Sequence, residues 1–203
     1  RISLYRHPTN DAWCRDHGPA FLLSRRPDLQ PGKVIVDWEY NAWGNKYPHE
    51  LDNAIPRRVA SVKNLPVFSP GIVMEGGAVD FNGEGTVLTT RACLLHENRN
   101  PALNQGQIEQ FLRDFYGVEQ VLWLGEGIEG DDTNGHIDDM TRFVSPDTVI
   151  AMVEPDRRDA NHAPLRDNLK ALKKMRLPDG KPLNIVEIPM PAPVYYDGQR
   201  LPA

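Results

Sequence analysis

Three short segments place carboxylates and one imidazole beside glycine or an aromatic ring: Asp11-Ala12-Trp13-Cys14-Arg15-Asp16-His17-Gly18-Pro19, Met74-Glu75-Gly76-Gly77 and Gly135-His136-Ile137-Asp138-Asp139. That set suits the binding and attack of a planar cation. A guanidinium is flat, permanently charged and rich in donors, so a good receptor offers carboxylates in its plane and an aromatic ring on its face. Asp16 and Asp138 can supply the carboxylates and Trp13 the face. The Gly18-Pro19 turn lets Trp13 and Asp16 point into one cavity from an irregular loop; the other reading has Asp16 pairing with Arg15 or capping a turn.

If Gly135 to Asp139 begins a strand, His136 and Asp138 lie on one face, placing an acid/base beside a charge clamp. The other reading of His136 is a surface residue or an adventitious metal ligand. Glu75 precedes paired glycines at the expected end of a strand, where close backbone approach is allowed. Its carboxylate can accept from an imidazole and raise its basicity; the alternative is a plain hairpin turn. Asp131, Asp132, His136, Asp138 and Asp139 could also be read as a cation site, but their spacing fits no EF-hand loop, His-Glu-x-x-His helix or facial triad. Neither a phosphate-cradling loop, a nucleophile-elbow serine nor a dinucleotide fingerprint is present in the sequence.

These residues need a scaffold. Short β-branched and aromatic runs at Phe21 to Ser24, Val34 to Trp38, Gly85 to Thr90, Val121 to Leu124, Thr148 to Val153 and Asn184 to Ile188 predict strands. Helical periodicity is clearest at Asn104 to Tyr116, ended by Gly117 as a left-handed cap, and at Ala163 to Met175. Asn82-Gly83 signals a hairpin. The proline-rich stretches Asn53 to Pro70 and Pro178 to Pro193 are expected to be extended connections. The order of elements predicts an α+β or mixed α/β fold with a repeating unit rather than one doubly wound sheet.

A chain of 203 residues can bury a sizeable core. Its net charge is −5 with Lys and Arg scattered, which excludes a nucleic-acid-binding stripe. The two cysteines, Cys14 and Cys93, lack metal or disulfide spacing, so a cytoplasmic setting is expected. The sequence contains neither a membrane-length apolar run nor a leader pattern, and it reads as an internal piece of a longer polypeptide.

Together with Trp38-Glu39-Tyr40-Asn41-Ala42-Trp43-Gly44 and Leu94-Leu95-His96-Glu97-Asn98-Arg99-Asn100-Pro101, the three segments closely resemble the agmatine deiminase family, within the wider group that includes bacterial peptidylarginine deiminases. The resemblance extends to about Val153 and more weakly to Pro202. It implies the pentein fold, a propeller-like arrangement of ββαβ units, and cofactor-free hydrolysis of agmatine to N-carbamoylputrescine and ammonia through a covalent thiol intermediate, a step of polyamine and putrescine biosynthesis. Carried over by motif, Asp16 and Asp138 would grip the guanidinium, His136 would be the general acid and base, Glu75 would orient or charge-balance His136, and Trp13 would line the pocket. The Trp38 to Trp43 segment is expected at the rim.

The family's nucleophilic cysteine lies in a later glycine-rich segment, and neither Cys14 nor Cys93 matches it. Residues 1–203 are therefore expected to form part of a pentein catalytic domain, about three units of an incomplete ring, lacking an N-terminal unit and the nucleophile-bearing segment, and inactive alone. Open strand edges would favour association, which leaves room for a homo-oligomer. Two rival functions stay in view: a deiminase for peptidyl-arginine or another guanidine, and an inactive guanidine-binding module.

Overall fold

The computed structural model describes residues 2–24, 28 and 32–202. These divide into two compact units, Arg1–Gly76 and Gly77–Ala203. The ββαβ unit of the pentein fold recurs three times along the chain, once in the first unit and twice in the second.

In the first unit, β1 (Ala20–Leu23) pairs antiparallel with β2 (Lys33–Val36). Helix α1 (Ile55–Lys63) then returns the chain so that β3 (Val67–Phe68) lies parallel to β2. This helix occupies much of the stretch expected to be an extended connection. Pro56 sits at the helix start, where proline's missing N–H costs nothing, and Asn64 ends the helix in a left-handed cap. The prolines of this stretch punctuate a helix rather than preventing one.

In the second unit, β4 (Asp80–Phe81) and β5 (Thr86–Thr90) form the predicted hairpin across Asn82-Gly83. Helix α2 (Gln105–Tyr116), with an Asn104/Gln107 capping box and Gly117 as its left-handed cap, leads to β6 (Gln120–Leu124), parallel to β5. The third repeat joins β7 (Thr141–Ser145) antiparallel to β8 (Thr148–Val153), then crosses through α3 (His162–Lys174) to β9 (Asn184–Pro189), parallel to β8. A small hairpin of β10 (Tyr195–Tyr196) and β11 (Gln199–Arg200) follows.

One core serves the second and third repeats. Leu88, Leu122, Leu124, Ile137, Val149, Ala151 and Leu172 pack together, and Ile137 is fully buried. Burial of such a side chain stabilises by roughly 1.5–3 kcal/mol. The same two repeats are bracketed by the buried Asp80 carboxylate, which accepts from Arg142 Nε at 2.8 Å and from the Phe143 N–H at 2.6 Å. Among the described residues no helix is long and apolar enough to cross a membrane.

Candidate active site

The predicted residues fall into two groups, one in each unit. In the first, the Trp13 to Asp16 spacing folds as a helical turn, Cys14–His17, and not as the loop expected. The N–H groups of Asp16 and His17 both donate to the Trp13 carbonyl, at 2.9 and 3.3 Å. The turn leaves Trp13 57% exposed while burying Asp16.

Trp43 Nε1 donates to Asp16 Oδ2 at 3.0 Å. The indole reaches it because Ala42, Trp43, Gly44 and Asn45 all have positive φ, at 48°, 56°, 99° and 62°. Asn41 Oδ1 steadies this left-handed turn by accepting from the Gly44 N–H at 2.9 Å. Around it, the Trp13 and Trp43 rings meet edge-on at 6.4 Å, Tyr40 and Trp43 at 5.9 Å, and His17 and Tyr40 at 5.7 Å. Trp38, Tyr40 and Trp43 are all buried, not at the rim expected of this segment.

Buried Asp52 fastens the approach to Trp13, its Oδ1 accepting from the N–H of Asn10 at 2.7 Å and lying 4.0 Å from His17 Nε2. Glu75 is fully buried. It does not end a strand as expected: it follows an isolated bridge at Val73 and leads into a 3-10 turn, Gly76–Ala78. A Cβ on Gly76 would lie 1.9 Å from the Arg15 carbonyl oxygen, so only glycine fits this closely against the Cys14–His17 turn. The Tyr40 phenol registers the local field: burial, followed by the charges of Asp16, Asp52, Glu75 and Asp11, pushes its pKa well above the ordinary 10.0. Four carboxylates thus act on one cluster of aromatic rings, a local charge that favours a cation.

In the second unit, His136 and Asp138 do not alternate along a strand. They flank Ile137 at the start of a single 3-10 turn, Ile137–Asp139, and the pair still meets, with His136 Nδ1 3.9 Å from Asp138 Oδ1. At that separation the contact is electrostatic rather than a hydrogen bond. His136 is buried and Asp138 partly exposed.

The loop before them is braced throughout. Asp131 accepts from the Thr133 N–H at 2.7 Å, the Thr133 hydroxyl at 2.5 Å and the Gly135 N–H at 2.6 Å. The His136 N–H donates to Thr133 Oγ1 at 3.1 Å, and the Thr90 hydroxyl donates to the Gly135 carbonyl at 2.6 Å. Both Asp131 oxygens thus serve the backbone and side chain of their own loop, which is the work of a brace. Gly135 has φ 91°, and an added Cβ would lie 3.0–3.1 Å from the Gly127 backbone. A cleft of about 870 Å³ opens beside this loop, lined by Glu126, Glu129 and Asp131 among others. Cys93 is buried and Cys14 exposed.

The sequence pattern did not assign Tyr40, Asp52 or Thr133 a part in this arrangement, offered Asp131 only within a possible cation site, and placed Trp43 at the rim. The signals were local: asparagine and glycine around Trp43 tolerate left-handed backbone, and Asp131-x-Thr133-x-Gly135 is a side-chain-capped turn.

Residues 2–203 match the family of Porphyromonas-type peptidyl-arginine deiminases. The solved agmatine deiminase of C. jejuni, in a cysteine-to-serine form with substrate bound, superposes with a TM-score of 0.88 at 38% identity, covering 98% of this chain and 57% of that one. The curated agmatine deiminase of Pseudomonas aeruginosa (strain LESB58) is 35% identical over 200 residues, 96% of this chain and 53% of that protein. That of Medicago truncatula is 34% identical over 197 residues, 92% of this chain and 53% of that protein. The chain therefore spans little more than half the length of the relatives it matches. Both the family match along nearly the whole chain and the thrice-repeated ββαβ unit lead to one assignment: this chain belongs to the Porphyromonas-type peptidyl-arginine deiminase family.

Proposed function

We propose that the intact polypeptide carrying this sequence hydrolyses the guanidinium group of agmatine, giving N-carbamoylputrescine and ammonia. The observation that carries the reading is the buried Asp16 carboxylate, which accepts from Trp43 Nε1 at 3.0 Å, with the Trp13 and Tyr40 rings edge-on to that indole. A permanently charged, flat headgroup matches that combination. The names of the relatives, agmatine deiminases from two bacteria and a plant, agree with it.

In this reading Asp16 and Asp138 hold the guanidinium nitrogens and Trp13 covers its face. A cysteine thiolate attacks the central carbon, forming a C–S bond. His136 gives its proton to the departing nitrogen, the C–N bond breaks and ammonia leaves. Water then adds to the same carbon, passing one proton back to His136; the C–S bond breaks, returning the thiolate, and the added hydroxyl gives its remaining proton to solvent as the neutral ureido product is released. Splitting the displacement in two and protonating a poor leaving group are what make it feasible at neutral pH. Glu75 is assigned to orient or charge-balance His136.

Neither Cys14 nor Cys93 is assigned as the nucleophile. Residues 1–203 are read as part of a pentein catalytic domain, with the thiolate supplied from outside them and the 203-residue piece inactive alone. The substituted C. jejuni protein, which holds substrate after losing a cysteine, supports a separate thiol. A cytoplasmic place in putrescine formation fits a small-molecule, cofactor-free step.

The test is ammonia release by the intact polypeptide from agmatine, free arginine and a peptidyl-arginine, alongside calorimetric titration with agmatine. Fastest release from agmatine supports the proposal. Preference for the peptide moves the substrate to peptidyl-arginine, and binding without release makes the protein a guanidine-binding module.

A further inference from the structure

The Leu94 to Pro101 motif carries a buried arginine that the reaction scheme above does not use. Arg99 is 5% exposed, and the turns through His96 that follow Cys93 bring it to the loop preceding His136. Its Nη2 donates to the Thr133 carbonyl at 2.7 Å, and its Nη1 to Asn134 Oδ1 at 2.9 Å and Asn98 Oδ1 at 2.7 Å. Asn98 Nδ2 also donates to Asn134 Oδ1, at 3.2 Å. One guanidinium therefore holds the backbone of residue 133 and the side chain of residue 134.

At the second of these the chain begins to turn against its usual hand. Asn134 and Gly135 have φ of 69° and 91°, and His136 follows immediately. A left-handed residue other than glycine costs on the order of 1–2 kcal/mol, less for asparagine, and keeps its shape when its surroundings fix it. Asp131 braces this turn from within; Arg99 braces it from the far side of the loop. Beyond the turn, Ile137 is sunk in the core, which fixes Asp138 by a separate anchor.

Resting on the function proposed above, we propose that Arg99 is a positioning residue for His136: it holds the Thr133–Asn134 turn so that the imidazole meets the reacting group in the right place. Because Ile137 anchors Asp138 independently, losing Arg99 should impair proton transfer more than substrate binding. A lysine cannot replace it, since one ammonium lacks the planar fork that reaches three acceptors on two segments.

The experiment compares Arg99→Gln, Arg99→Lys and Asp80→Asn in the intact polypeptide. Asp80→Asn is a purely structural lesion, weakening the bracket to Arg142 and Phe143. Folding is checked by thermal melting, kcat and KM are measured separately with agmatine, and hydrogen exchange is read at the amides of Gly135 and His136. For both Arg99 variants the expected result is a kcat lower by about tenfold or more with KM within about threefold, since small displacements of a reacting group carry penalties of this size. Exchange at those two amides should quicken by about tenfold or more. Asp80→Asn should melt earlier with kcat and that exchange unchanged.

Retained kcat and unchanged exchange in the Arg99 variants would overturn the proposal. So would an equal fall of kcat in Asp80→Asn, which would reduce Arg99 to a stabilising role. If Arg99→Gln does not fold, Arg99→Lys decides by the same readouts. If the unsubstituted protein releases no ammonia, the function reading fails, and exchange alone decides whether Arg99 holds the turn.

Discussion

Trp43 points its indole N–H at the Asp16 carboxylate, 3.0 Å away, from a turn wound in the left-handed sense. Each non-glycine residue so wound costs on the order of 1–2 kcal/mol. The Asn41 cap and the edge-on rings of Trp13, Tyr40 and Tyr47 around the indole hold the conformation in place. Under the proposed function the gain is a carboxylate fixed in direction before the cationic substrate arrives, which is where preorganised sites obtain their advantage.

Replacing Trp43 by phenylalanine keeps an aromatic ring and removes the donor. A hydrogen bond to a charged group contributes about 1.5–3 kcal/mol, so Trp43→Phe should weaken agmatine binding by about tenfold or more. Calorimetric titration checks this, and an unchanged affinity would show that Asp16 does not depend on the indole.

Gly76→Ala forces a methyl group to within 1.9 Å of the Arg15 carbonyl oxygen, a backbone atom that cannot step aside alone. The Cys14–His17 turn or Glu75 must move. Turnover of the intact protein is expected to fall by about tenfold or more, with a lower melting temperature. Activity within twofold of normal would mean the contact is slack.

The Tyr40 phenol supplies a pH signature. Its pKa is raised in the fold, so above about pH 10 the unfolded chain has released a proton that the folded chain still holds. The stability this group contributes is complete below that pH and is lost as pH climbs towards the folded value, at up to about 1.4 kcal/mol per pH unit. Urea unfolding at several alkaline pH values should show a steeper decline for the wild-type protein than for Tyr40→Phe. Parallel curves would remove Tyr40 from the account.

Asp80→Ala separates stability from chemistry. It strips the acceptor from the Phe143 N–H and from Arg142; Asp80 is buried but the Arg142 side chain is 39% exposed, so the loss is chiefly that of hydrogen bonds to a charged acceptor, about 1.5–3 kcal/mol. The melting temperature should drop while KM for agmatine stays put. A rise in KM would tie the bracket to the substrate.

The parts of this fold legible in the sequence were those governed by short-range rules. Runs of β-branched and aromatic residues marked β5, β6 and β8, and the stripe of Ile108 and Leu112 marked α2. The capping glycine at 117 ended that helix as expected. Helix α1 escaped because its proline suggested an interruption, whereas only position, at the first turn rather than mid-helix, decides what proline does. The Ile137–Asp139 turn escaped for a different reason. Its three residues were set by contacts far along the chain, with Ile137 drawn into a core assembled from β5, β6, β8 and α3, and no local pattern announces that. Trp43 was misplaced at the rim because four successive residues of positive φ override the outward direction an ordinary turn would give.

The buried isoleucine at 137 is bordered in sequence by the imidazole and the carboxylate assigned to the reaction. The protein's oily interior and its wet chemistry thus share a single tripeptide. Under the proposed function, loosening the packing at that point would blunt proton transfer while most of the molecule was still intact, so gentle heating should stop turnover by the intact polypeptide some degrees before it melts.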